Sequence, residues 1–477
     1  MKWNGLIVLT HAFGQRYELP IPLWLFVGGG ALVVLLSFLL VLRRSTDLFT
    51  PVPTEDVVPE TALRPLPAVI SIVVTALVAL TGLVGTQETS DNVAPLFFWV
   101  VFWIAVPLTC GLVGDWTRPW NPFANLARIG DSQRLRKVVL ARVRPLTWSP
   151  RLGWWPAVLL FVLMVLGELV FNLHTTQPAF VGGIIAVYGV LSLFLGLLFG
   201  DGWLARGEVF SGLFDVWGRL GFWRHGAPGR RGFAGGLDVP FEASLSRVVF
   251  VLLLLVSINF DGLLATPQWA SYERRTLGAD SAGIDALRTG SLLALIVVVL
   301  VVFGAFAYAS ARAGRFDSRP IAALADLLPS LVPIAFGYLI AHYLQYLVTN
   351  LQYVALLIGN PGYPGWPFHL PAPFNDSFEV NRTLLPNAFY WYLSVVVIVV
   401  AHVIAVVLAN RHLRRRAADP VAARRAEYPW LLAMVSYTAF SLFLIAQPLT
   451  QESGSATKVG AAVSTTVSAA LTAGGTR

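Results

Sequence analysis

Cysteine is almost missing from this chain. Cys110 stands alone among 477 residues, which excludes an internal disulfide framework and any metal centre built on several thiolates. Charge is scarce as well: Asp, Glu, Lys and Arg make up 13% of the sequence, against roughly a quarter in soluble domains. Glycine-rich phosphate loops and G-x-S-x-G elbows do not occur, so nucleotide-driven transport and serine hydrolysis by a familiar constellation have no support. No HxxxH, ExxH or CxxC spacing marks a metal site. Basic patches interleaved with base-stacking aromatics are also missing, which argues against nucleic acid as a partner.

What the chain has in abundance is apolar residues, 56% of the total with mean hydropathy +0.68. They come in blocks of about twenty, the length a helix needs to cross a bilayer. Ten spans are expected, at 22–42, 67–84, 95–114, 154–171, 179–199, 248–264, 291–309, 329–349, 388–409 and 430–448. The fold class is therefore all-α, a polytopic transmembrane helix bundle forming one domain over 1–449, with a disordered outer tail over 450–477. The loops alternate sharply in charge: 26 of the 34 Lys and Arg fall in those after the first, third, fifth, seventh and ninth spans. The positive-inside rule then places both termini outside and predicts a multi-pass protein of the cytoplasmic membrane. The lipid bilayer is its first partner.

Between these spans, two segments read as interfacial. Residues 134–144 suit a short basic helix on the headgroups. Trp203, Phe210, Phe214 and Trp217 recur at helical steps, as in an amphipathic surface helix followed by a flexible GAPGRRGFAGG hinge. The outer loop over 360–387, rich in Pro, Gly and aromatics, favours an ordered lid.

One stretch stands apart. Residues 329–358 are apolar enough for a bilayer yet carry Tyr338, His342, Gln345, Tyr346, Thr349, Gln352 and Tyr353 at steps of three and four, which puts them on one helix face. Lipid offers such groups no hydrogen bonds, so other helices or a ligand must. As a single helix the stretch would run about 45 Å, longer than the roughly 30 Å hydrocarbon core. Four ionisable residues fall inside spans: Glu168, Asp261, His342 and His402. Buried charge in a membrane is costly, so each is a candidate functional residue. Counted from the span ends, Glu168, Asp261 and His342 share the outer half, whereas His402 sits deeper. Acids and imidazole at one depth suit an acid/base group or a metal site facing outward.

Several segments in order along the chain carry a resemblance: HAFGQRYELPIPLWLFV near the start, WNPFANL at 120–126, GDGWLARGEVFSGLF at 200–214, SRVVFVLLLLVSINFDGLLATPQW at 246–269, IAHYLQYL at 340–347 and EYPWLLAMVSYTAF near 430. Together they resemble a family of polytopic bacterial membrane proteins labelled fenitrothion hydrolase. The resemblance implies cleavage of an organophosphorus triester, a small apolar molecule, and supplies no catalytic residues. Such hydrolysis needs an activated water and charge stabilisation, most simply from a divalent metal. His342, Asp261 and Glu168 are the expected catalytic residues, with His11 joining them as metal ligands; Tyr338, Gln345, Tyr346 and Gln352 are the expected substrate contacts. Two other classes fit the same residues: an ion- or proton-coupled carrier of a small solute, and a haem- or copper-bearing subunit using His342 and His402.

Overall fold

The computed structural model describes residues 63–223 and 232–444, except Ala279, His369 and Asp376, together with Gly28, Gly29, Leu32, Leu35 and Leu36. His11, nearly all of the expected span at 22–42 and the expected tail at 450–477 lie outside the described residues. Among these, every regular element is a helix. Pro65–Val84 (α1) starts on two prolines flanking Leu66, where a missing N–H costs nothing. Val93–Val113 (α2) is capped by the Asn92 side chain, which accepts from the Ala94 amide at 2.9 Å. Its ten residues Leu96–Ala105 are wound as a π-helix, just ahead of Pro107, which cannot donate into the ladder.

Pro122–Gly130 (α3) and Gln133–Leu140 (α4) are short; Trp155–Leu169 (α5) and Pro178–Phe199 (α6) follow. After Val209–Gly218 (α7) come Leu245–Leu264 (α8), Pro267–Leu277 (α9) and Ser281–Ala313 (α10). Pro320–Gly359 (α11), Asn387–Arg416 (α12) and a helix over 420–444 (α13) complete the bundle. Seven of these (α1, α2, α6, α8, α10, α11 and α12) are long and apolar enough to cross a membrane. Helix α5 is not: its 15 residues span about 22 Å, short of the hydrocarbon core. The chain is thus a multi-pass helical membrane protein by the length and apolarity of its helices. Helices α8 and α11 form the centre, being the most enclosed, while α1 and α10 leave broad apolar faces exposed.

Side-chain contacts gather the loops at two ends. At one end, Arg118 meets Asp115 at 2.9 Å and reaches Asp215, which also accepts from Arg219 and Arg247. Asp238 holds Arg411 and Arg415, and Asp326 holds Arg416 at 2.7 Å. The basic loops after the third, fifth, seventh and ninth expected spans therefore share one end of the bundle. Arg206 pairs with Glu242 at 3.5 Å. At the other end, Thr86 and Val93 amides donate to Gly362 and Pro361 carbonyls, and Gln87 accepts from the Ala179 amide. The Pro/Gly/aromatic loop is thus pinned by backbone bonds, and Thr81 donates to the Tyr363 hydroxyl at 3.2 Å.

The expected surface helix is not on the surface. Trp203, Phe210, Phe214 and Trp217 are all buried, and α7 packs against α2 and α5. Phe210 lies among Phe98, Phe102, Phe123 and Tyr188, mostly edge to face. Amphipathic periodicity alone does not say whether the apolar face meets lipid or protein; here the π-wound, aromatic α2 offers it a protein partner. Buried Glu208 fixes the turn into α7. It accepts from the Ser211 amide and hydroxyl at 2.7 and 2.6 Å, from Asn121 at 2.8 Å and from Tyr188 at 2.8 Å.

Candidate functional site

Helix α11 is built differently from the single long rod that its sequence suggests. A 3-10 turn at Leu328–Ser330 precedes Leu331–Asn350, and the helix breaks at Leu351 before Gln352–Gly359. The break has a local cause: the Asn350 side chain donates to the Tyr346 carbonyl at 2.7 Å and Gln352 to the Val348 carbonyl at 3.1 Å. Side chains that take up helix carbonyls compete with the ladder. The polar stripe is therefore divided. Gln352 also bonds Asn381 in both directions, at 3.0 and 2.9 Å, so it pins the outer loop.

The part inside the bundle carries the site. His342 and Asp261 are fully buried, and the His342 Nε2 is hydrogen-bonded to the Asp261 Oδ2, joining α11 to α8. The next residue, Tyr343, donates its hydroxyl to Glu168 Oε1 at 2.7 Å, and the Trp103 indole donates to Glu168 Oε2 at 2.8 Å. The rings of His342 and Tyr343 stand edge to face, 4.6 Å apart. Four helices (α2, α5, α8 and α11) thus place Trp103, Glu168, Asp261, His342 and Tyr343 side by side. Asp261 lies in the last turn of α8 and Glu168 is the penultimate residue of α5, both toward the weakly charged end.

A buried carboxylate is costly unless it is paired, and the His342 imidazole gives Asp261 a partner across the helix interface. A cavity of about 40 Å³ opens against Glu168, lined also by Trp103, Tyr343, Ser257 and Trp217. That is room for about three waters, far below the roughly 300 Å³ or more of a drug-sized ligand site.

The remaining candidates fall elsewhere. Tyr338 is buried one turn along α11, its ring 6.3 Å from His402 and from Tyr437. His402 is engaged at both nitrogens, by the Ile398 carbonyl at 2.7 Å and the Thr438 hydroxyl at 2.6 Å. Tyr346 packs on Tyr343 with centroids 6.4 Å apart, and Gln345 is partly buried on the same helix. Among the described residues no three His, Cys, Asp or Glu side chains gather closely enough to hold a metal ion. His342 and Asp261 come together, Glu168 stands off beyond Tyr343, and His11 lies outside the described residues.

Sequence reasoning passed over Trp103, Tyr343, Asn259 and Tyr437. Asn259 donates to the Tyr437 hydroxyl and accepts from Ser441 at 2.9 Å, a second polar contact between α8 and α13. Each is a polar group in an otherwise apolar helix, which was the available signal; Tyr343 even adjoins His342. No family model matches the chain, and neither a curated protein nor a solved structure does.

Proposed function

We propose that this protein is a ten-span protein of the cytoplasmic membrane, both termini outside, that handles protons at the His342–Asp261 and Glu168–Tyr343 pairs to drive a small solute across. The observation that carries the reading is the buried His342–Asp261 contact, one residue from the tyrosine bound to Glu168. Ionisable groups inside a membrane are expensive, and facing pairs of them serve proton relays. Loss or gain of one proton by such a pair changes its net charge, and with it the balance between closed and opened packing of α8 against α11. The water-sized cavity at Glu168 supplies the medium through which a proton reaches the carboxyl.

A second reading, hydrolysis of an organophosphorus triester, is supported by the family resemblance and by that same cavity. Glu168 would act there as general base on an ordered water, with Asp261, His342 and His11 as the proposed ligands of a divalent metal that supplies Lewis-acid stabilisation.

Infrared difference spectra of the reconstituted protein across a pH step test the first reading. A buried-carboxyl band lost in Asp261→Asn and another lost in Glu168→Gln are expected; a spectrum without such bands would falsify proton handling. Proton-gradient-driven accumulation of a membrane-impermeant organic cation, methyl viologen, in proteoliposomes but not in protein-free vesicles, abolished in Asp261→Asn, is the matching transport result. Release of nitrophenol from fenitrothion in detergent, with no gradient, would instead favour the hydrolase.

A further inference from the structure

We propose that the strap between α3 and α5 is a binding site for anionic phospholipid headgroups, formed by Arg134, Lys137, Arg142 and Arg144. The inference rests on the reading of the chain as a membrane protein and is independent of what the His342 site does. It starts from a division among the cations at the basic end. One set is committed to the protein's own carboxylates: Arg118, Arg219 and Arg247 to Asp215, Arg206 to Glu242, Arg411 and Arg415 to Asp238, Arg416 to Asp326. Such cations hold loops together and are not available to a partner. Arg134, Lys137, Arg142 and Arg144 are all exposed, and none forms an ion pair with an acidic side chain among the described residues. The sequence supplies no nearby acid, since after Asp131 the next carboxylate in the chain is Glu168.

Arg136, in the middle of this run, behaves in the opposite way. It is buried, pairs with Asp131, and donates to the Leu197 carbonyl at 2.8 Å and the Val143 carbonyl at 3.1 Å. The Leu146 amide donates to the Leu198 carbonyl at 2.7 Å. These bonds clamp the strap onto the last turn of α6, where four carbonyls otherwise lack helix partners. The four uncommitted cations are thereby held where an apolar helix with exposed Val187, Val190 and Phe194 comes to its end.

Apolar residues on the strap decide the chemistry of the partner. Val138 is 83% exposed, and Val139 and Val143 are exposed beside the arginines. A soluble anion such as free phosphate would neutralise the cations and leave the valines in water. An anionic lipid satisfies both, with phosphate at the guanidinium and ammonium groups and acyl chain against the valines. Arginine forks suit the phosphate oxygens in particular.

The test uses the full-length protein with Val139→Cys labelled by bimane; Cys110 is buried, so labelling stays at the strap. In vesicles, quenching by dibrominated phosphatidylglycerol is expected at a lower mole fraction than by dibrominated phosphatidylcholine. Replacing Arg134, Lys137, Arg142 and Arg144 by Gln together should remove that preference while phosphatidylcholine still quenches, which shows the strap still seated. Arg142→Gln alone, outside α4, should weaken the preference by roughly fivefold, the effect of one charge at an anionic surface. Equal quenching by the two lipids in the parent, or a preference surviving all four changes, overturns the proposal. So does competition by millimolar inorganic phosphate, which would mark a free-anion site, or a label that neither lipid quenches, which would mark a surface for a soluble acidic partner.

Discussion

Single residues set the energetics of the buried polar contacts. Removing His342 strands the Asp261 carboxyl in a closed interior without its imidazole, a loss of about 3–5 kcal/mol for a broken buried pair. His342→Ala should therefore lower the thermal midpoint in detergent far more than Asp261→Asn, which keeps a polar group of the same size; equal midpoints would show that the pair does not sit in a dry interior. Tyr343→Phe removes one buried hydrogen bond to Glu168, worth about 0.5–1.5 kcal/mol. Glu427 gives a pH prediction at the basic end. Burial pushes its carboxyl up to about 7, against the opposing pull of Arg414 and Arg424, while Asn410 donates to it at 2.6 Å. A carboxyl whose folded value lies above its unfolded one binds protons more tightly when folded, so its contribution to stability falls as pH rises from about 4.5 to about 7. Glu273 runs the other way: burial raises it, but the bonds from Arg288 and Trp269 outweigh burial and hold it below the ordinary value. Its contribution is present above the unfolded value and is lost as pH falls through the folded one. Melting curves across this range should show the neutral-side decline flattened in Glu427→Gln, and an unchanged slope would mean that Glu427 is not the titrating group.

At the scale of elements, α7 shows both the reach and the limit of sequence reasoning. Its aromatic spacing suggests one helix from Trp203 to Trp217, but the run is broken at Glu208 into Asp201–Arg206 and Val209–Gly218. Its place inside the bundle was not legible, because a period of 3.6 describes a face and says nothing of what covers it. Glu208 is wholly buried and receives donors from Asn121, Tyr188 and Ser211. Glu208→Ala leaves these donors without their acceptor and removes the cap of α7, each at about 1–3 kcal/mol. The expected outcome is a protein that expresses poorly or melts at least ten degrees earlier, a rough figure for several kcal/mol in a large chain; a parent-like melt would show that α7 is not docked as described. Helix α11 repeats the lesson. Depth along a span can be counted in residues, which is why Glu168, Asp261 and His342 were grouped. Lateral contact depends on how helices pack, so the sequence could not show that Tyr343 separates Glu168 from the His342–Asp261 pair. The break at Leu351 was equally hidden, since sequence does not show that the Asn350 and Gln352 side chains take helix carbonyls.

For the whole molecule, the alternation of charge along the chain makes a geometric claim that the fold can answer in part. The loops carrying most of the Lys and Arg meet one another through Asp115, Asp215, Asp238 and Asp326, while the sparsely charged loops meet around Gly362 and Gln87. Two such ends require the helices between them to run back and forth, so the short α5 must traverse the same bundle as its longer neighbours. With about 22 Å of helix, it does so only with help from the turn at Asn172–Thr175, which returns the chain to Gln87 beside α1. The proposed orientation, with the arginine-rich loops on the cytoplasmic side, rests on the positive-inside rule. Single cysteines settle this, because Cys110 is buried and stays silent. In intact cells a membrane-impermeant maleimide should label Glu88→Cys and Ser377→Cys, and should reach Arg144→Cys and Arg424→Cys only after permeabilisation; all four positions are exposed. Labelling of Arg144→Cys and Arg424→Cys from opposite sides would mean an odd number of crossings between them and would end the ten-span topology. The mirror-image pattern would keep the spans and invert the protein, placing the cavity at Glu168 toward the cytoplasm and reversing the direction from which a proton first reaches it.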